Sequence, residues 1–203
     1  MGRREENKAM KRERLLTEGL RLFSEQGYEG SSIEQIAAAS GVARGTFYLY
    51  FPDKQALFEA LVDRWFVSLQ GIFARVREGL EASAGPEQAW EVYRGMASEL
   101  VVLGLTYASE IRLSFQESRT RAASGVLLRE RERGIVAVAV AFTEVAMERG
   151  WVRRGDPHVL CLVIFGAVER LVYEVLTGAE LGEPARISAE MVSVFEAALA
   201  PRI

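Results

Sequence analysis

SSIEQIAAASGVARGTFYLYFPDKQALF, residues Ser31–Phe58, is the stretch that decides how this chain folds. Two short helical runs flank Gly41, and Pro52-Asp53 stops the second and opens a longer third. A pair of short helices joined by a tight glycine turn is the pattern of a helix-turn-helix DNA reader. Ser31 with Glu34 forms a capping box for the first of the pair, and Ser32 with Gln35 offers the same device one residue later. Gly41 supplies the turn, and Val42 is expected as a buried plug. The reading helix is predicted from Ala43 to about Tyr50. At about 100° per residue, Phe47 and Phe51 fall on one side, which must be buried, and Arg44, Gly45, Tyr48 and Leu49 gather on the other. An exposed tyrosine and leucine beside an arginine and bare backbone ask for a partner. A major groove suits them: arginine forks onto guanine, leucine touches a thymine methyl, and glycine allows close approach. The alternative is a small surface helix with incidental aromatics.

Before this stretch, Leu15, Leu16, Leu20, Leu22 and Phe23 recur at helical spacing, which predicts a first helix from about Lys8 to Gln26 with Gly27 as its cap. Arg3, Arg4, Lys8, Lys11, Arg12 and Arg14 outnumber Glu5, Glu6 and Glu13 in the opening segment, although the whole chain of 203 residues carries a net charge of -3. A local basic patch on an acidic molecule fits a site-specific contact with phosphate rather than general coating of nucleic acid. A solvated charged tail is the alternative for the first six residues.

After it, Asp53 can cap the next helix, and Lys54 stands in that helix's first turn, where the dipole favours an acid. A phosphate contact would explain the lysine. Leu57, Phe58, Leu61, Val62, Trp65, Phe66, Leu69, Ile72, Phe73, Val76 and Leu80 sustain an apolar stripe too long for the reader alone. The loop Ala84–Pro86, a break near Tyr107, the gap between Ser118 and Ala122, Gly150 with the cap Asp156-Pro157, and Gly178 to Pro184 then divide the remainder into five more helices. Gly134–Phe142 has the valines of a strand, but its flanks hold no hairpin signal, so it is expected to be helical. The fold class is therefore all-α: about nine helices, with a helix-turn-helix DNA-binding domain over residues 1–53 and a helical domain over 54–203.

Several function classes are excluded by composition. The charged N-terminus lacks a signal peptide's apolar run, and the longest apolar run, Val159–Val168, is too short to span a bilayer. A cytoplasmic protein is expected. One cysteine and one histidine exclude an internal disulfide and a histidine cluster, so neither a metal nor a cofactor is expected.

The run IEQIAAASGVARGTFYLYFPDKQALF, preceded by GLRLFSEQGYEGSS, closely resembles the signature of TetR/AcrR-family transcriptional regulators over roughly residues 10–62. The resemblance implies that Arg44, Gly45 and Thr46 approach bases, that Tyr48 and Leu49 lie against bases or backbone, and that Ser32, Tyr50 and Lys54 hold phosphates. Departures are mild: Ser31-Ser32 replace the usual threonines, Ala43 a common serine, and Gly19 and Ser40 a frequent alanine. Ala43 puts a side-chain cap in doubt, and Gly19 would allow a closer helix crossing. The family further implies double-stranded operator DNA of palindromic sequence, a homodimer through helices eight and nine in a four-helix bundle, and a ligand cavity among helices four to eight.

Candidate pocket residues are Trp65, Trp90, Tyr93, Tyr107, Phe115, Phe142, Phe165 and Tyr173, with Arg112 and Glu169 as polar handles. For each, core packing or a surface ion pair is the plainer role. The expected function is a ligand-responsive repressor released by a small hydrophobic or amphipathic effector, a fatty acyl-CoA sensor being the alternative. No catalytic residue is expected. A helical enzyme would have to use His158 and Cys161, three residues apart, as a dyad. A helical interaction module without DNA binding is a third class.

Overall fold

The computed structural model describes residues 2–201. Among them the chain forms nine helices: α1 (Arg3–Gly30), α2 (Ile33–Ala39), α3 (Arg44–Phe47), α4 (Lys54–Ala82), α5 (Pro86–Thr106), α6 (Ala108–Glu117), α7 (Ala123–Glu148), α8 (Pro157–Leu176) and α9 (Pro184–Leu199). The all-α expectation holds, and the valine-rich Gly134–Phe142 is helical. The chain divides into two compact units. One holds the chain up to Trp65 together with Ser109–Glu130, and the other holds Phe66–Ala108 and everything from Arg131 onward. α4 and α7 each contribute residues to both.

The first unit is organised by burial of aromatic rings. Phe23, Tyr28 and Phe58 meet at centroid separations of 5.5, 5.8 and 5.3 Å, and Phe47 and Phe51 add a second ring pair at 5.8 Å. Leu15, Leu16, Ile36, Leu57, Leu61 and Val62 close the space around them. Gly19 is required by a close crossing: a Cβ there would come within 2.5 Å of Leu57 Cδ2. α1 starts earlier than periodicity indicates, at Arg3, and kinks at Gly27 (φ 75), where the backbone leaves the helical region. The carboxylate of buried Glu117 on α6 accepts the Tyr28 N–H just after the kink, at 2.9 Å, and the Ser124 hydroxyl at 2.7 Å. Arg64 bridges Glu13 and Glu110, and Trp65 Nε1 donates to Ser114. These bonds, between residues up to 89 positions apart, place α6 with the reader.

In the second unit, Phe73 meets Phe142 at 5.7 Å and Phe165 at 6.2 Å, while Tyr93 meets Trp90 at 5.4 Å and Phe142 at 6.4 Å. Arg149 donates to the carbonyls of Leu80, Glu81 and Ser83 at and just beyond the end of α4. Asp156 accepts from the N–H groups of His158 and Val159 and so caps α8, as the sequence predicts. Arg94 pairs with Glu196 where α5 packs on α9. Among the described residues no helix is long and apolar enough to cross a membrane, and no group of three His, Cys, Asp or Glu could hold a metal ion.

Candidate nucleic-acid interface

Ser32, not Ser31, starts α2. Its hydroxyl accepts from Gln35 N at 3.2 Å while Gln35 Oε1 accepts from Ser32 N at 2.8 Å, completing the capping box. Ser31 is buried instead, donating to the carbonyls of Leu22 and Gly27 at the end of α1. Turned toward those orphan carbonyls, its hydroxyl cannot cap α2. Gly41 takes φ 68, which makes the turn. Val42, expected as a plug, is only half-buried.

α3 is shorter than predicted. Its helical bonds end near Phe47, and hydrogen bonds from Leu49 to Thr46 and from Tyr50 and Phe51 to Phe47 carry the chain onward in turns. Ala43 precedes it without a side-chain cap, as its short side chain requires. The two-faced arrangement is present: Phe47 and Phe51 are buried, whereas Leu49 is 75% exposed and Tyr48 43%. Arg44 lies beside Tyr48, donating to its hydroxyl at 3.4 Å, and pairs with Glu34 of α2 at 3.0 Å. Both charged groups are mainly exposed, so this pair adds little stability and is open to exchange for another anion. At Gly45 a Cβ would meet no atom within 4 Å. Nothing inside the chain requires that glycine, although it costs about 1 kcal/mol against alanine within a helix. Thr46 and Tyr50 are half-buried.

Lys54 has partners that no local pattern shows. Its Nζ donates to Tyr28 O at 2.6 Å and Ser31 O at 2.9 Å, and lies 4.3 Å from the Tyr28 ring centre. It clamps the end of α1 and the approach to α2, which accounts structurally for a lysine in the first turn of α4. One N–H remains for another acceptor. Asp53 supplies that turn's cap, accepting from Ala56 N at 2.8 Å.

The pocket candidates disperse. Trp90, Tyr93, Phe142 and Phe165 join Phe73 in the aromatic cluster of the second unit, and burial pushes the Tyr93 phenol well above its ordinary range. Tyr107 is half-buried at the end of α5. Trp65 and Phe115 are half-buried in the first unit. Arg112, Glu169 and Tyr173 are exposed. The structure does not bring His158 and Cys161 together as a dyad: His158 is exposed, while buried Cys161 lies 3.5 Å from Thr143 and burial raises its thiol. A nucleophile needs the thiolate, which this site disfavours.

Residues 15–61 match the family described as bacterial regulatory proteins, tetR family. The HTH-type transcriptional repressor DhaR of Mycobacterium sp. (strain GP1) is 33% identical over 82 residues, which is 40% of each chain. The HTH-type transcriptional regulator RutR of Escherichia coli (strain K12) is 28% identical over 194 residues, 89% of this chain and 84% of that one. The transcriptional regulator FadR of Bacillus subtilis, solved in complex with stearoyl-CoA, shares the fold with a TM-score of 0.68, covering 89% of this chain and 95% of that one at 19% identity. Over residues 15–61 the chain is thus similar to the tetR family of bacterial regulatory proteins.

Proposed function

We propose that this chain is a ligand-responsive repressor that binds a palindromic operator in double-stranded DNA as a homodimer and is released by a small hydrophobic or amphipathic effector. The observation that carries it is the outer face of α3 and the turn that follows it, where Arg44, Gly45, Tyr48 and Leu49 stand exposed over a buried Phe47. Such a face has no use within the chain and suits a major groove. Arg44, Gly45 and Thr46 approach bases, Tyr48 and Leu49 lie against bases or backbone, and Ser32, Tyr50 and the remaining N–H of Lys54 hold phosphates. Function divides at residue 53: the segment 1–53 reads DNA in the cytoplasm, and 54–203 senses the effector and dimerises.

Dimerisation through α8 and α9 is supported by the apolar side chains they leave exposed, Val159, Leu162, Val163 and Tyr173 on α8 and Val194 on α9. Two readers then meet half-sites about 34 Å apart. The effector acts through α4, whose first turn holds the reader and whose later turns carry the Phe73 cluster. Tyr93 and Trp90 are the cluster's hydrogen-bonding groups. The coupling is reciprocal, so DNA weakens effector binding by the factor by which the effector weakens DNA binding. A second reading, an acyl-CoA-responsive regulator of lipid metabolism, draws on the fold shared with the stearoyl-CoA complex.

A mobility-shift titration on the chain's own upstream region tests the reader. Arg44→Ala and Tyr48→Ala should each weaken specific binding by roughly ten- to a hundredfold. Unchanged binding by both variants overturns the reading face.

A further inference from the structure

Between Ser31 and Phe51 the sequence holds two charged side chains, Glu34 and Arg44, so the segment that carries the reading face has no net charge. The two are in contact: Glu34 Oε1 lies 3.0 Å from Arg44 Nε, across the turn between α2 and α3. Stability does not explain the pairing, because both groups are mainly exposed and such pairs contribute little. An acidic residue in the first turn of α2 suits the helix dipole, but the dipole does not require it to reach an arginine of the next helix. On a face that enters DNA a carboxylate is a cost, since it meets a polyanion. The opening segment shows the opposite choice, with basic side chains outnumbering acidic ones.

The geometry leaves Arg44 able to read a base. Glu34 stands against Nε, and Nη2 donates to the Tyr48 hydroxyl at 3.4 Å, which leaves both Nη1 hydrogens and one on Nη2. Those donors suffice for a two-point contact with guanine O6 and N7. A guanine edge is neutral, so it joins them without contest from the carboxylate. A phosphate meets the like charge of Glu34 beside the guanidinium, and to take Arg44 for itself it must displace a carboxylate already there. That exchange swaps one anion for another and gains little.

We propose that Glu34 sets the specificity of the reading face: its charge makes Arg44 a poor phosphate ligand and so reserves it for a guanine edge. Glu34 is a positioning residue that acts through Arg44 and touches no base. The inference rests on the reading of α3 as a DNA-contacting face. Loss of the Glu34 charge therefore tightens binding to DNA at large while leaving the operator contact nearly as it was.

Full-length protein tests this on two duplexes of equal length, one selected from a random-sequence pool by the wild-type protein and the other a scramble of it. Glu34→Gln, which keeps size and removes charge, should tighten the scrambled duplex at least about fivefold at about 0.1 M salt. The slope of log affinity against log salt on that duplex should steepen by about 0.9 per reader, as Arg44 takes a phosphate. Affinity for the selected duplex should change by less than about twofold, so selectivity falls. In an Arg44→Ala background the same substitution should move the scrambled duplex by less than about twofold, since there is no guanidinium to release. An equal gain in that background overturns the proposal, because Glu34 then repels DNA generally. Loss of affinity for the selected duplex alone also overturns it, by making Glu34 a base contact in its own right, and so does unchanged selectivity. A wild-type protein that selects no sequence overturns the DNA-reading face itself, and this inference with it. Should Glu34→Gln fail to fold, Glu34→Ala carries the same expectations.

Discussion

Tyr48 and Leu49 stand exposed together just after the short α3, whereas in the second unit exposed valines and leucines are spread over α4, α5, α7, α8 and α9. Around α3 the interior is held by specific directional bonds: Ser31 to the Leu22 and Gly27 carbonyls, Glu117 to Tyr28 N, and Lys54 to the Tyr28 and Ser31 carbonyls. A cleft of the second unit, between α5, α8 and α9, is lined almost wholly by aliphatic side chains. Directional bonds hold one geometry, as reading base edges requires. Aliphatic surfaces make no demand on direction and can accept partners of varied shape. One unit is built to present a fixed face, the other to be covered or filled.

Phe58→Ala is the largest expected perturbation of that contrast. Removing the ring shared by Phe23 and Tyr28 should cost about 3–5 kcal/mol in urea unfolding, whereas Leu105→Ala on the exposed cleft rim should stay within about 0.5 kcal/mol. Equal costs would break the comparison. Glu117→Ala leaves Tyr28 N and the Ser124 hydroxyl without their buried acceptor and should cost about 1–3 kcal/mol. If Glu117→Ala is neutral, the attachment of α6 to the reader rests on apolar packing alone. Ser32→Ala should cost about 1 kcal/mol through the lost α2 cap.

Lys54→Ala sharpens the division between holding and reading. Weakening of all DNA sequences alike, with the slope of log affinity against log salt reduced by about 0.9, assigns one phosphate to it. An unchanged slope with reduced stability leaves it as a clamp alone. The remaining prediction concerns pH. Burial pushes the Tyr28 phenol up to about 12, above its ordinary value of 10.0, so the folded protein keeps a proton that the unfolded chain releases between those values. Stability should therefore be fully present below pH about 10 and decline as pH rises toward about 12, and Tyr28→Phe should remove that decline in urea titrations at both ends of the window.

Most of the helix order was legible in the chain, because caps and breakers are local. Asp156 and Pro157 open α8, Gly27, Gly41 and Gly150 mark ends and turns with positive φ, and the valine-rich middle of α7 is helical because no hairpin chemistry flanks it. The opposed faces of α3 followed from angular spacing. The choice between Ser31 and Ser32 was not legible, since both satisfy the local pattern. Only the carbonyls at the end of α1 draw Ser31 inward. Which aromatic residues pack together was not legible either, because aromatic identity marks burial without saying which rings meet.

By itself the sequence determined the all-α class, the reader's register and the family resemblance of its first third, since each rests on residues within a few turns of one another. Only the tertiary structure decided that α6 packs with the reader, that Lys54 spends two donors on the backbone, and that an aliphatic cleft opens between α5, α8 and α9. Those facts depend on groups tens of residues apart. Their energies arise from contacts that no local spacing encodes.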